Sequence, residues 1–256
     1  MAVPNICIPP QIPTISAALD IPALVDSADT LHLVVAASGQ TPAWYGAQHQ
    51  VKAPGDADFA TAAQFSAPTT IMGVLQADVS DASEHFTDTT NVVRVQLYSD
   101  DELVTYTQQQ FLSENGAFAL AWDDAGTLRW EICQYRDAVK VGEREWELTT
   151  LLRGRLNTET AEHPTGSMFV LLDAGIRMIP AQSAWLDETL THRAVSNGQL
   201  PDQAAQYPQE YTGESQREWP VAHVFGQIAG DTLTTSWIPR HRFGTDLHPV
   251  RSSNWD

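Results

Sequence analysis

Between residues 30 and 175 the chain is divided into short apolar or alternating runs, interrupted by turn-forming residues roughly every 8–15 positions. A chain so punctuated builds strands, and it leaves no room for the 10–15-residue amphipathic helices that a parallel α/β fold requires. Residues 31–37 (LHLVVAA) form a continuous apolar run ended by Ser38-Gly39, and Phe59, Thr61, Ala63 and Phe65 alternate up to Pro68. Residues 92–98 (VVRVQLY) alternate again, with Arg94 and Gln96 outward. The clearest hairpin joins 118–122 to 128–135 across Asp123-Asp124-Ala125-Gly126, with glycine where positive φ is wanted. In its second arm Leu128, Trp130, Ile132 and Gln134 share one face, and Arg129, Glu131 and Cys133 the other. With 146–152 and 168–173 added, the expected fold is mainly β: an antiparallel β-sandwich or open barrel.

Four segments are expected. Residues 1–22 carry prolines at 4, 9, 10, 13 and 22, so they read as an extended arm lying on a partner subunit or on its own domain. Residues 23–175 form the antiparallel β domain. Residues 176–218 are polar and broken by Asn197-Gly198, Pro201 and Pro208, which suggests an irregular linker; Trp185, Thr189 and His192 give some helical spacing within it. Residues 219–256 resume a β pattern, two strands joined by Ala229-Gly230-Asp231. That is a partial module, since a whole immunoglobulin-like sandwich takes about 100 residues.

Composition narrows the function. With 14 basic and 32 acidic residues the formal charge is −18, which repels nucleic-acid phosphates and anionic lipid surfaces. The start MAVPNICIPPQIP lacks the pattern of a signal peptide, and no apolar run approaches the roughly 18 residues of a membrane helix, so neither nucleic-acid binding nor membrane insertion is expected. Cys7 and Cys133 form no ligand spacing and are expected as unpaired thiols. Ser38, Ser113, Ser167 and Ser183 sit outside any G-x-S-x-G elbow, and the eight histidines include no H-E-x-x-H. Asp78, Asp81, Glu84 and Asp88 are either calcium ligands or a solvated acidic loop, and without EF-hand spacing the loop is the better reading. Asp100, Asp101 and Glu102 read as a hairpin tip. No catalytic residue, metal or cofactor is expected, and the chain does not read as an enzyme.

Two features remain. Arginines concentrate at Arg153-Gly154-Arg155 and Arg240-His241-Arg242, where bidentate forks either pin loops and neighbouring domains or close ion pairs within the domain. Trp44, Tyr45, Tyr207 and Tyr211 are rings for a core or subunit contact, or for stacking on sugars.

The run 130–173, WEICQYRDAVKVGEREWELTTLLRGRLNTETAEHPTGSMFVLLD, resembles the phage tail protein family of siphophages and gene transfer agents, the baseplate hub or host-specificity class. Trp130-Glu131, Gln134-Tyr135-Arg136, 151–155 (LLRGR), Thr158-Glu159 and 169–173 (FVLLD) carry the likeness. Asn157 stands where the family has glycine, and asparagine is the next-best residue for a left-handed turn. Ile21-Pro22-Ala23-Leu24 and Trp44-Tyr45-Gly46-Ala47 extend the resemblance upstream. Gly230-Asp231-Thr232-Leu233 and the segment 237–242 resemble the opening of a fibronectin type III-like module, with Pro239 where an arginine is common. Larger members carry a glycoside-hydrolase-like TIM barrel, for which these 256 residues have no room, so sugar cleavage does not transfer. The resemblance implies a structural component of the virion's tail tip, made in the host cytoplasm and often trimeric. It would link the tail tube to fibres or spikes, contact other tail-tip proteins and contribute to host attachment. A carbohydrate- or receptor-binding module, contacting a host surface glycan, is the alternative. Arg153, Arg155, Arg240, Arg242, Trp44 and Tyr45 are the expected interface residues.

Overall fold

The computed structural model describes residues 13–24, 30–41, 43–66, 69–113, 116–217, 222–230, 232–238 and 251–254. Strands β1 (Thr14–Leu19), β2 (His32–Gly39), β3 (Ala47–Lys52) and β4 (Ala60–Phe65) come first. They are followed by β5 (Met72–Leu75), β6 (Val93–Leu97), β7 (Ala117–Asp124), β8 (Thr127–Gly142), β9 (Glu145–Leu152) and β10 (Met168–Leu171). After these come β11 (Arg177–Pro180), β12 (Glu188–Ser196) and β13 (Gln206–Tyr211), then β14 (Ala222–Ala229), β15 (Thr232–Ile238) and β16 (Arg251–Asn254). A five-residue helix, α1 (Gln108–Leu112), is held by a capping box between Thr107 and Gln110. No helix among the described residues is long and apolar enough to cross a membrane.

All eight residues of β2 are buried. It runs antiparallel between β1 and β11, and each of its faces meets a different body. Leu33, Val35 and Ala37 pack on Val51, Phe65, Leu190 and Tyr211 of the four-stranded sheet β13-β12-β3-β4, and on Trp44 just before β3. Val34 and Ala36 pack on Met72, Ala119, Ala121, Trp130 and Ile132 of a closed barrel, β10-β5-β6-β9-β8-β7. The β2 sheet is therefore the middle of three layers. Burial on both faces is why this strand reads as an unbroken apolar run.

The fold is mainly β and antiparallel, as expected, and its barrel is closed. Closure removes the unpaired edges that an open sheet would expose. Phe118, Leu120, Cys133, Tyr135, Val95 and Leu148 fill the interior, while Ala119, Ala121, Trp130 and Ile132 face outward to β1 and β2. The two faces of the second hairpin arm are thus the inner and outer walls. Its turn is tight: Ala125 and Gly126 take φ of 51° and 96°, and Asp123 Oδ1 accepts the Gly126 N–H. Two central residues with positive φ match the twist of the flanking strands.

Several expectations are corrected. Residues 176–218 are not an irregular linker: β11 pairs with β2, and β12 pairs with both β3 and β13. The spacing of Trp185, Thr189 and His192 yields one 3-10 turn, Ser183–Trp185, and then a strand. The boundary at 175 therefore cuts through two sheets. The arm is also partly a strand, since Thr14–Leu19 pairs with β2 of its own chain; residues 1–12 lie outside the described residues. Asp100 is not at a hairpin tip, because β6 pairs with β5 and β9, and Asp100 instead meets Arg144. The β14–β15 hairpin forms as expected, with β16 as a third strand.

β3 and β12 bury a pair of imidazoles. His49 Nε2 lies 3.0 Å from His192 Nδ1, and His192 stacks on Tyr207. Burial lowers His49 to about 4, and burial with the His49 charge lowers His192 to about 3. The unfolded chain binds these protons below about 6.5, so the pair's contribution is complete above that pH and is lost as pH falls toward 4. The thermal midpoint is expected to drop between pH 6.5 and 4. The double variant His49→Leu/His192→Phe should show a flatter profile across that window, a comparison that separates the pair from other titrating groups.

Candidate functional site

Polar chemistry concentrates at two places along β8, one sealed and one open. The sealed one grows from the inward series of β8. Cys133 and Tyr135 lie in the apolar interior, and Glu131 occupies the preceding inward position with its side chain fully buried. A lone carboxylate there would be costly, so it is surrounded by donors. Glu131 Oε1 accepts from Arg153 Nε at 2.7 Å and from the Gly154 N–H at 2.9 Å. Its Oε2 accepts from Arg153 Nη2 at 2.7 Å and the Ala161 N–H at 3.2 Å, and lies 2.7 Å from His163 Nε2. The other ring nitrogen, His163 Nδ1, lies 3.1 Å from the Ala121 carbonyl, so making both bonds requires the ring with two N–H groups. Arg153 Nη1 donates to the Ser80 carbonyl and Nη2 to that of Ala161.

Burial alone would raise the Glu131 carboxyl, yet hydrogen bonds and charge from His163 and Arg153 outweigh it and hold the group at about 2. Burial, and then the Glu131 charge, push the Cys133 thiol up, which keeps it in its unreactive form. The glycine of LLRGR is required by this arrangement. Gly154 sits at φ 56°, its N–H points at Glu131, and a Cβ would come within 2.9 Å of Thr160 Cγ2 and 3.0 Å of the Thr158 carbonyl. Asn157 takes φ 65°, as expected of a residue replacing glycine. Thr158 Oγ1 accepts the Ile132 N–H and donates to the Arg155 carbonyl. The whole segment is a clasp on β8, with every lone pair of its carboxylate engaged.

The expected interface residues divide accordingly. Arg153 is corrected: its side chain is fully buried and its fork is spent within the domain. Arg155 is half-buried in a small cavity with Leu24, Ile132 and Leu172. Trp44 is also corrected, being a core ring that donates its Nε1–H to Thr14 Oγ1; Gly39 leaves room for it, since a Cβ there would fall on the indole. Tyr45 is 53% exposed. Tyr211 is core and Tyr207 half-buried. Arg240 and Arg242 lie outside the described residues. In the 78–88 segment Asp81 and Asp88 serve local turns, accepting from Ala82 and from Thr90 and Asn91, while Asp78 accepts from Thr165 in the connection between β9 and β10. Among the described residues no three His, Cys, Asp or Glu converge on a metal position.

The open place is a cleft of about 240 Å³ between the β7–β8 turn and the loop after β13. Trp122, Asp124, Arg129, Trp130 and Glu159 line it, with Asp20, Glu214 and Arg217 on the loop side. Asp20 fastens that loop, accepting the N–H groups of Thr212, Gly213 and Glu214 at 2.6, 3.0 and 3.0 Å. Burial raises its carboxyl to about 6, against the pull of the Thr212 bonds and with the Glu214 charge adding. Arg129 is held loosely: Nε is 3.9 Å from Asp124, Nη2 3.9 Å from Glu210, and Nη1 3.5 Å from Thr212 Oγ1. Sequence reasoning assigned no role to Glu131, His163, Asp20, Trp122 or Arg129. Only Glu131 had a visible signal, a carboxylate on the same strand face as Cys133.

A family model described as Rcc01698-like, C-terminal matches residues 70–170. That span takes in the barrel from β5 into β10, together with the clasp. No curated protein matches the chain.

Removing either partner of the clasp strands a buried charge. Glu131→Gln and Arg153→Met are each expected to lower unfolding free energy by about 3–5 kcal/mol in urea titrations. The double variant should lose clearly less than the sum, because no lone charge remains. Losses near zero for both single variants would remove the clasp from the account of stability.

Proposed function

We propose that the chain is a non-catalytic structural component of a phage tail tip, of the baseplate hub kind, which links the tail tube to fibres or spikes and contributes to host attachment. The observation that carries this reading is the nature of the residues behind the resemblance. Arg153 and Gly154 of LLRGR, Thr158 and the Glu131 of the Trp-Glu pair are parts of one buried clasp, so this part of the likeness rests on residues that fix a barrel's geometry. The family-model match over 70–170 covers the same barrel, so the region that carries the resemblance is one shared with other proteins. The closed barrel leaves no unpaired strand edge of its own, which suits a part held between other parts. In this reading the net charge of −18 keeps the free subunit soluble before assembly.

Tagging the chain in the genome that encodes it, purifying particles and imaging them with a tag-directed label tests the proposal. Label at the distal end of tails, with several copies around the tail axis, is expected. Particles that carry no label while the tagged chain accumulates free in the lysate would refute it.

A further inference from the structure

We propose that the cleft between the β7–β8 turn and the loop after β13 binds one ring of a neutral saccharide. This goes beyond the tail-tip reading and does not depend on it. The cleft volume of about 240 Å³ suits a single ring; pockets for larger ligands run from about 300 to 1,000 Å³. Trp122 continues the inward series of Phe118 and Leu120 along β7, yet it is only half-buried and lines the cleft. Sugar rings have apolar C–H faces that pack on such an indole. Trp130, at 5% exposure, forms the adjoining wall, and its buried Nε1–H has no hydrogen-bond partner among the described residues. Trp146 Nε1–H is buried and unpartnered in the same way, so the ligand contacts are assigned to Trp122, Arg129, Asp124 and Glu159.

The polar groups decide the ligand class. Arg129 keeps its donors only loosely engaged, with both carboxylates at 3.9 Å. Glu159, the acid of the Thr158-Glu159 pair, is exposed and makes no hydrogen bond or ion pair among the described residues, while Thr158 beside it is locked into the clasp. Asp124 has only its distant contact with Arg129. Donors and acceptors thus stand together, as sugar hydroxyls require, since each hydroxyl can both give and take a hydrogen bond. Four carboxylates (Asp20, Asp124, Glu159 and Glu214) outnumber the two guanidinium groups of Arg129 and Arg217, which disfavours anions. The same excess would draw a cation, but a cation would leave the loosely held Arg129 donors without an acceptor, which a hydroxyl ligand supplies.

The intact chain is titrated by tryptophan fluorescence and calorimetry with trisaccharides of glucose, galactose, mannose and N-acetylglucosamine. Sialyllactose and chitosan trimer serve as the anionic and cationic probes. At least one neutral trisaccharide is expected to saturate with a Kd on the order of 1 mM or tighter. Trp122→Ala and Arg129→Met should each weaken it about tenfold, and Glu159→Gln by about fivefold or more. Glu159 is exposed and unbonded, so its variant keeps the fold even if Trp122→Ala does not. Tyr45→Ala, an exposed ring outside the cleft, should leave the affinity unchanged. The proposal fails if no neutral trisaccharide saturates by 10 mM-scale concentrations, if only a charged probe binds, or if Arg129→Met and Glu159→Gln both bind as the parent chain does.

Discussion

A strand with no solvent face sets the terms for everything around it. β2 buries Leu33 and Val35 on one side and Val34 and Ala36 on the other, so two separate bodies must be supplied to cover it. The four-stranded sheet is one and the barrel is the other. The chain can meet this demand only by returning: β11 and β12 come after the barrel in sequence, yet they complete the sheets begun by β2 and β3. The barrel strands β5 to β10 are therefore a continuous insertion within a frame made from both flanks. That a family model matches 70–170, and stops where the frame resumes, agrees with this division.

Within the insertion, the buried carboxylate of Glu131 plays a comparable part. A closed barrel with a purely apolar interior would place few constraints on the long connection between β9 and β10. Glu131 supplies them, drawing in Arg153, Gly154, Ala161 and His163 from that one connection. Replacing ionic groups of this kind by apolar residues of the same shape is often neutral or stabilising, whereas removing one partner alone is costly, so the members of the clasp are tied to one another. The consequence reaches the surface: fixing Arg153 and Thr158 fixes where Glu159 emerges, and the strand that carries Glu131 also carries Arg129 and Trp130 to the cleft. The sealed and open sites are two ends of one constraint.

What the sequence disclosed follows the same physics. The faces of β8, the β7–β8 turn and the left-handed Asn157 were readable because each depends on near neighbours in the chain. β12 and β13 were not, since their buried positions include His192, Ser196 and Gln209, polar residues that erase the apolar alternation of an ordinary strand. Their burial is acceptable only because β2, β3 and Tyr207 lie against them, which is tertiary information. The charge of Arg153 was visible but its partner was not, so docking and internal pairing stayed equally open until Glu131 was found 2.7 Å away. The cleft was hidden for a stronger reason. It joins Asp20, the β7–β8 turn, Glu159 and Thr212, and the bond between Asp20 and Thr212 alone spans 192 positions.

The charge distribution bears on how such a body can associate. Arg153, one of only 14 basic residues, is consumed in the interior, and Arg94, Arg136 and Arg144 are paired with neighbouring carboxylates at the surface. Each takes a carboxylate with it, Arg153 being buried beside Glu131, so the surface that partners meet keeps the strongly acidic balance of the composition. Copies of the chain repel one another at distances comparable to the Debye length, about 8–10 Å near physiological salt, and gain only from short-range contact inside it. A homo-oligomer built on these terms would need closely fitted apolar contacts with the acids left at the rim, and it would tighten as salt rises. A complementary partner would instead present basic groups and be weakened by salt. The sign of the salt dependence thus separates self-assembly from capture of a basic partner, and it does so without any knowledge of which surface is used.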